Sequence, residues 1–193
     1  MARSKDVYQF TRMKLFYFSK LPDNQKKAIF AELRHGLGKK PGEVPSVWGI
    51  IFEDMPDEWM RKDGNASYEE NAVYGALTLY ALHMQGKDHD MQNNEQTIGN
   101  AIGKLAAKAD FGERIRKRFI ILLNSQDVEG LTYYLRGLIN MLRKENIGFD
   151  YARLAKDLYE YEFPDQMNRI RLSWGQDYYH IINKIKRENE EHE

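Results

Sequence analysis

The chain has 193 residues, no cysteine, and 29 basic residues against 29 acidic ones. With 42% hydrophobic residues it can bury one large core or two small ones, which excludes global disorder. The lack of cysteine excludes disulfides, thiolate zinc sites and cysteine nucleophiles. No signal-peptide pattern and no run of about 20 apolar residues is visible, so we expect a cytoplasmic protein without a membrane partner.

The charges are segregated along the chain although they sum to zero. Residues 1–40 carry 10 basic and 3 acidic residues, whereas residues 53–70 carry 2 and 7. Residues 101–144 are basic again, with 9 against 4. Segregated charges can form local patches, although charge runs are commonly the solvated faces of helices. The zero sum argues against a protein that coats nucleic acid by bulk charge.

In the first half of the chain, helices are predicted from residues that cap helix ends and from prolines and glycines that interrupt helices. Pro22 sits where a first-turn proline is tolerated and opens the pattern DNQKKAIFAELRHG. Segment 36–45 holds three glycines and two prolines and is expected to be irregular. Ser67 and Glu70 have capping-box spacing before a helix that Gly86 ends. Because this helix is apolar on most sides, we expect it at the centre of the fold.

Helical patterns continue in the second half. Asp110 and Glu113 repeat the capping-box spacing before ERIRKRFIILL. Ser125 or Asp127 would cap the next helix. Apolar residues at spacings of 3 and 4 put one stripe on that helix: Val128, Leu131, Leu135, Leu138 and Leu142.

The last two patterns complete the predicted fold. Asp150 caps YARLAKDLYEY, and Pro164 breaks that element. Strand alternation with hairpin turns is missing, so we predict an all-α protein of about eight or nine helices. We expect two packed helical bundles, residues 1–108 and 109–193. The final helix carries the longest predicted stripe: Met167, Ile170, Trp174, Tyr178, Ile181 and Ile185.

Several segments, in order, resemble a known family. They are ELRHGLGKKPGEVPSVW (32–48), LTLYALHMQG (77–86), IGNAIGKLA (98–106) and RKRFIILLNSQDVEGLTYYLRGLINMLR (116–143), followed by FDYARLAKDLY and WGQDYY. Their order and spacing are similar to those of the CasB family, the small subunit of the type I-E CRISPR surveillance complex, Cascade. The resemblance covers most of the chain from about residue 28.

The resemblance implies two helical bundles, no catalysis and no cofactor. It implies that two copies sit in a complex with the large subunit and the backbone subunits, together with guide RNA and target DNA. In such assemblies base pairing reads the sequence, and the protein contacts backbone and shape. The family would thus stabilise the R-loop through basic residues.

Position by position, the family's basic motifs fall on four segments of this chain. A paired basic motif corresponds to Arg34–His35, a Leu-Gly-Arg motif to Ile102–Lys104, and two further paired motifs to Lys117–Arg118 and Arg136–Gly137. Lysine in place of arginine keeps the charge but loses the bidentate fork. The expected nucleic-acid-binding residues are Arg34, Lys39, Lys40, Lys104, Lys117, Arg118, Arg136 and Arg143.

Helix geometry supports part of this set independently. Arg136, Asn140 and Arg143 lie on one flank, away from the leucine stripe. The alternative is a solvated face, or a helical protein-interaction module whose basic faces meet acidic partners without direct nucleic-acid contact. Arg118 projects near an apolar face and could instead be paired within the protein.

A metal phosphohydrolase is the third hypothesis. His89–Asp90 is an HD dipeptide, and His35 with Asp150 or Asp157 could complete a ligand set. Such a set needs ligands fixed on packed helices, whereas His89 lies in the polar loop GKDHDMQNNEQ. His83, on the apolar helix, is expected to be a core histidine.

Aromatic residues could stack on bases, but core packing is the default expectation. Trp174, Tyr178 and Tyr134 fall on or near apolar stripes and are expected in the core. Trp48 and Trp59 lie in less regular surroundings, where they could be interface residues.

Overall fold

The computed structural model describes residues 2–108 and 112–191. Within those two ranges it contains α-helices and short 3₁₀ turns but no β-strand, which confirms the predicted all-α fold of eight or nine helices. None of the described helices is long and apolar enough to cross a membrane. The nine α-helices of the described residues are α1 (Ala2–Lys20), α2 (Asp23–His35), α3 (Trp48–Phe52), α4 (Tyr68–His83), α5 (Ile98–Ala106), α6 (Gly112–Leu123), α7 (Val128–Lys144), α8 (Tyr151–Tyr161) and α9 (Pro164–Glu190).

Helix α4 is the centre of the molecule, as its sequence predicts. It packs against α1, α2, α7 and α8 and is buried on almost every side. The predicted capping box starts it: the Ser67 hydroxyl accepts a hydrogen bond from the Glu70 amide at 3.0 Å, and the Glu70 carboxylate accepts one from the Ser67 amide. A helix without a polar face is stable only when other elements surround it, and these helices together with α3 do so here.

Helix α1 lies along α8 and closes one side of this core. Its buried side chains include Phe18, which begins a run of edge-to-face aromatic contacts through the interior. Phe18 contacts Phe30 of α2, Phe30 contacts Tyr80 of α4, and Tyr80 contacts Tyr151 of α8, at ring-centroid distances of 5.8, 5.3 and 5.2 Å. Edge-to-face pairs of this kind add stability beyond the area that they bury.

Helices α5 and α9 approach each other closely because two glycines face the contact. A Cβ atom at Gly103 would lie 2.8 Å from the backbone oxygen of Tyr178, and one at Gly99 would lie 2.8 Å from Cβ of Asp177. Of the stripe predicted for α9, Ile170, Trp174 and Tyr178 are buried, but Met167, Ile181 and Ile185 are only partly so. The partial exposure follows from length, since α9 has 27 residues and α5 only 9.

Helices α6 and α7 pack on each other, and α7 also contacts α4. Asp127 is the cap of α7, because its carboxylate accepts a hydrogen bond from the Gly130 amide at 2.7 Å. The predicted stripe from Val128 to Leu142 is buried. Asp150 caps α8 as predicted. Asp110, the predicted cap of α6, lies outside the described residues.

Contacts across the predicted bundle boundary are extensive. The C-terminal helices α8 and α9 pack on α1, α4 and α5 of the N-terminal part. Trp174 of α9 donates a hydrogen bond to the buried carboxylate of Asp157 in α8 at 2.7 Å, and burial raises the pKa of that carboxyl to about 6. The division at residue 108 into two bundles stays a prediction.

Candidate nucleic-acid interface

Two predicted site residues, Arg34 and Arg143, converge on the C-terminal end of α4. Arg34 Nη1 donates to the backbone oxygen of Ala81 at 3.3 Å, and Arg143 Nη1 donates to that of Leu82 at 3.2 Å. Arg143 also donates to the side-chain oxygen of Gln85 at 2.7 Å. The last carbonyls of a helix lack intrahelical partners, so both arginines cap α4.

This convergence places two positive charges side by side. Burial and the nearby Arg143 charge both lower the pKa of Arg34. A guanidinium has five N–H donors, and the contacts to α4 leave several of them unused. Arg34 and Arg143 can therefore hold α4 and still offer donors to an anion.

Arg136 lies against the loop that follows α2. Its Nη1 atom would be 2.6 Å from a Cβ at Gly38, where the backbone φ of 76° already favours glycine. The same loop is fastened to α4, because the Tyr74 hydroxyl donates to the backbone oxygen of Gly36 at 2.8 Å. Burial raises the pKa of Tyr74 to about 12, so this hydroxyl remains a donor at neutral pH. The exposed Lys39 follows Gly38 directly.

Arg118, on α6, contacts α7 at Gly137. Its Nη1 atom lies 3.4 Å from the position that a Cβ of Gly137 would occupy, so the guanidinium covers the glycine next to Arg136. The residue is exposed. Among residues 2–108 and 112–191, no carboxylate lies within ion-pair distance of Arg118. The alternative of an internally paired arginine therefore has no support in the described part of the chain.

Four cations around α7 form what we call the α7 basic surface: Lys39, Lys40, Arg118 and Arg136. Arg136 links the glycine loop, with its two lysines, to α7, and Arg118 adds the guanidinium from α6. The ion pairs of the described residues leave all four without a carboxylate partner. Three of the four are exposed and Arg136 is half-buried. Unpaired cations gathered at one place produce a local positive potential even in a neutral protein.

Two other predicted residues are engaged differently. Lys117 points to Glu113 on its own helix at 3.6 Å, and Arg116 binds the same carboxylate at 3.0 Å. Hydrogen bonding from Arg116 lowers the pKa of Glu113. Lys104 on α5 donates to the side-chain oxygen of Gln96. These contacts do not join Lys104 or Lys117 to the α7 basic surface.

The residues of the phosphohydrolase hypothesis have separate contacts. His89 is exposed and contacts Asp88 at 2.8 Å, while Asp90 accepts hydrogen bonds from the Tyr80 hydroxyl and the Gln92 amide, both at 2.8 Å. No group of three potential metal ligands gathers anywhere in residues 2–108 or 112–191. The loop around His89 is thus a folded turn in which Asp90 supports α4.

His83 is a core histidine, as predicted. It is fully buried, and its Nδ1 atom lies 2.8 Å from the Tyr151 hydroxyl. Burial, together with the nearby charges of Arg143 and Lys87, lowers the pKa of His83 to about 3. The ring is therefore neutral at physiological pH and holds α4 against α8.

Two aromatic predictions were wrong. Tyr134 was expected in the core but is 41% exposed, and its neighbour Tyr133 is 64% exposed. Trp59 was considered for an interface but is buried against Phe10, at a ring-centroid distance of 5.5 Å. A helical wheel of α7 places Tyr133 almost opposite the leucine stripe but Tyr134 only about 70° from the centre of the stripe, so the wheel alone gave no signal for the exposure of Tyr134.

The fold has close relatives among solved structures. It superposes on CasB from Thermobifida fusca with a TM-score of 0.70 and 31% identity, covering 91% of this chain and 96% of that one. It is also similar to a Cse2-family protein from Thermus thermophilus, with a TM-score of 0.67, 23% identity and coverage of 88% and 97%. A chain of a CRISPR RNA-guided surveillance complex gives a TM-score of 0.73 at 18% identity, with coverage of 95% and 99%.

One curated relative matches over a short stretch. The DNA replication ATP-dependent helicase/nuclease DNA2 of Saccharomyces cerevisiae is 26% identical over 109 residues, which is 53% of this chain but 7% of that protein. Because the chain spans so little of the helicase/nuclease, this match carries no argument about activity. The family model described as CRISPR-associated protein Cse2 matches residues 30–179. That match spans most of the chain, including α7 and its basic surface, so the chain belongs to the CRISPR-associated Cse2 family, also called CasB.

Proposed function

We propose that this chain is a non-catalytic subunit of a CRISPR Cascade surveillance complex, in which it binds nucleic-acid backbone and stabilises the R-loop. One observation carries the proposal: the four cations of the α7 basic surface have no carboxylate partner in the described residues. Elsewhere on α6, Arg116 and Lys117 are already paired with Glu113. Cations left unpaired at one place are available to phosphate groups.

Family membership and the likeness to a chain of an RNA-guided surveillance complex support the assembly part of the proposal. Exposed apolar residues away from α7, such as Phe16 on α1 and Leu172 on α9, are suited to contacts with other subunits. The presence of two copies per complex and the cytoplasmic location stay predictions.

The chemistry of the surface suits backbone contacts rather than base readout. Arginine guanidinium groups bind phosphate oxygens with two parallel hydrogen bonds, and lysines add mobile point charges. In R-loops the pairing of guide and target reads the sequence, so the protein needs no recognition helix. About three to five phosphate contacts would give a log–log salt slope of roughly −3 to −4.

The test is to reconstitute the complex with an Arg118→Ala/Arg136→Ala subunit and to measure its affinity for target DNA over a salt series. Each substitution should cost about 1 kcal/mol on any target sequence and lower the salt slope by about one unit. The matched control is Arg61→Ala/Arg116→Ala, which removes the same charge from two arginines that are paired with Asp63 and Glu113 and are outside the predicted site. The control should change affinity by about a third as much or less.

Subunit stoichiometry separates the competing interpretations. A double variant that assembles normally and binds target as tightly as wild type would show that the surface is only solvated. A variant that no longer enters the complex would show that the surface faces a protein, as the interaction-module alternative predicts.

A further inference from the structure

Helix α7 displays a pair of tyrosine rings that its own packing does not use. Tyr133 is 64% exposed and Tyr134 is 41% exposed, while the leucine stripe of the same helix fills the core. The two rings contact each other edge to face, with centroids 5.3 Å apart and an angle of 79° between their planes. In the described part of the protein neither hydroxyl has a hydrogen-bond partner. Such rings contribute little to the fold and leave aromatic faces open to solvent.

The tyrosine pair is next to the α7 basic surface. Gly137 follows Tyr133 by four residues, which is one helical turn or about 6 Å along the axis. The Arg118 guanidinium covers that turn from α6, while Arg136, the residue before Gly137, directs its guanidinium to the loop at Gly38. Gly137 itself adds no side chain between the rings and the cations. Tyr133, Gly137 and the Arg118 guanidinium thus occupy consecutive turns of one strip of α7, and Tyr134 and Arg136 lie on the two flanks of that strip.

The charge along this strip is complementary to a polyanion. From Tyr133 to its end at Lys144, α7 contains no acidic residue, and its charged side chains there are Arg136, Arg143 and Lys144; the acidic residue of the helix is Glu129, one turn before Tyr133. An exposed tyrosine elsewhere has more acidic surroundings, since Tyr17 on α1 lines a groove with two carboxylates, Glu53 and Asp54, and one ammonium group, Lys14. The surroundings of Tyr133 and Tyr134 therefore differ from those of Tyr17 in the sign of the nearest charges.

We propose that Tyr133 and Tyr134 form a stacking platform for unpaired bases of single-stranded nucleic acid, whose backbone passes over Arg118 and Arg136. This inference rests on the proposed function, and it names the class of nucleic acid as single-stranded. Proteins that bind single strands combine a basic track with aromatic side chains, because every base has a π face that can stack. A duplex hides those faces inside its base stack, so it can use the cations but not the rings.

The test uses the full-length protein at low salt and two labelled probes of equal charge: an oligodeoxythymidylate of about 12 nucleotides and a hairpin duplex. Tyr133→Ala/Tyr134→Ala should weaken binding of the single strand at least about fivefold and leave duplex binding and the salt slope unchanged. Tyr133→Phe/Tyr134→Phe should bind like wild type, because phenylalanine also stacks. Tyr17→Ala is the matched control for loss of an exposed tyrosine and should change neither affinity.

A second probe, an abasic oligonucleotide of the same length, tests the partner of the rings directly. Wild type should bind it as weakly as the alanine double variant binds the oligodeoxythymidylate, and the two losses should not add. The platform is overturned if the alanine double variant weakens single-strand and duplex binding equally, or if it leaves single-strand binding unchanged. It is also overturned if the losses from the variant and from the abasic probe add fully. Failure of the alanine double variant to enter the complex would also overturn it, by showing that the rings face a protein.

The proposed function has its own separate outcome in the same experiment. If Arg118→Ala/Arg136→Ala lowers the salt slope but the tyrosine variants have no effect, the backbone contacts stand and only the platform fails. If the arginine variants leave binding and slope unchanged, or if wild type binds neither probe at low salt, the proposed function of this surface fails and the platform fails with it.

Discussion

The contact between α5 and α9 offers a test that depends on two glycines. Gly99 and Gly103 lie one turn apart, and the backbone of α9 runs directly over them. Alanine at either position would put a methyl group against the carbonyl oxygens of Trp174 and Tyr178. We therefore expect Gly99→Ala/Gly103→Ala to destabilise the protein, although alanine is the better helix former.

The magnitude follows from the distances. The added Cβ atoms would lie 2.8 Å from Asp177 Cβ and from the Tyr178 oxygen, whereas carbon contacts are optimal at about 3.5–4.0 Å. Helix α9 must retreat by roughly 1 Å, and overpacking of this kind costs about 1–3 kcal/mol per site. The gain in helix propensity is at most about 1 kcal/mol per site. The expected net loss for the double variant is thus about 2 kcal/mol.

Gly175 provides the matched control. It lies in the middle of α9 with open space where its Cβ would be, so Gly175→Ala should gain up to about 1 kcal/mol from helix propensity alone. Thermal unfolding followed by circular dichroism measures both, since about 1 kcal/mol shifts Tm by roughly 2–4 °C in a chain of this size. A double variant as stable as wild type, beside a stabilised Gly175→Ala, would refute the close approach of the two helices.

Three further predictions concern the core, the end of α4 and the histidine loop. Because burial raises the pKa of Asp157, the protonated carboxyl stabilises the fold below about pH 4, and this stabilisation is lost as the pH rises through about 6. The Asp157→Asn side chain stays neutral, so the stability of this variant relative to wild type should increase by up to about 3 kcal/mol as the pH rises between those two values. Denaturant unfolding at several pH values measures this difference, and a difference that does not change with pH would contradict the buried carboxyl. Arg143→Ala should lower the free energy of unfolding by about 1–2 kcal/mol because its hydrogen bonds to the Leu82 carbonyl and the Gln85 side chain are lost, while Lys144→Ala, next to it in the chain, should stay within about 0.5 kcal/mol. Finally, protein purified without chelator should hold no stoichiometric divalent metal, and metal bound in a way that His89→Ala abolishes would revive the phosphohydrolase hypothesis.

Local sequence rules explain how well the helices could be predicted. Capping depends on side chains within three residues of the helix start, so Ser67 and Asp150 could be identified without knowledge of any neighbour, and the cap of α7 could be narrowed to Ser125 or Asp127. The same is true of the α7 stripe and of the apolar character of α4, which already indicated a central helix. Family membership could also be inferred, because the order of several segments was enough.

The candidate site was less predictable because it depends on contacts between distant residues. The sequence indicated that Arg136 and Arg143 share a flank, but it did not indicate that Arg143 caps α4 while Arg136 packs on Gly38. Nor could it show that Lys117 is paired with Glu113 whereas the adjacent Arg118 covers Gly137. Each of these differences depends on which helix lies next to the side chain.

The sequence by itself determined the helical class, the main caps and the family, since periodicity and capping are local and segment order is a property of the chain. Only the tertiary structure decided which cations lack a carboxylate partner and which aromatic rings are exposed. A period of 3.6 residues assigns Tyr134 to a face of α7, but the packing of α4 and α6 decides whether that face is covered. The same packing gathered Lys39, Lys40, Arg118 and Arg136 around α7, and only that arrangement makes them a candidate surface for phosphate.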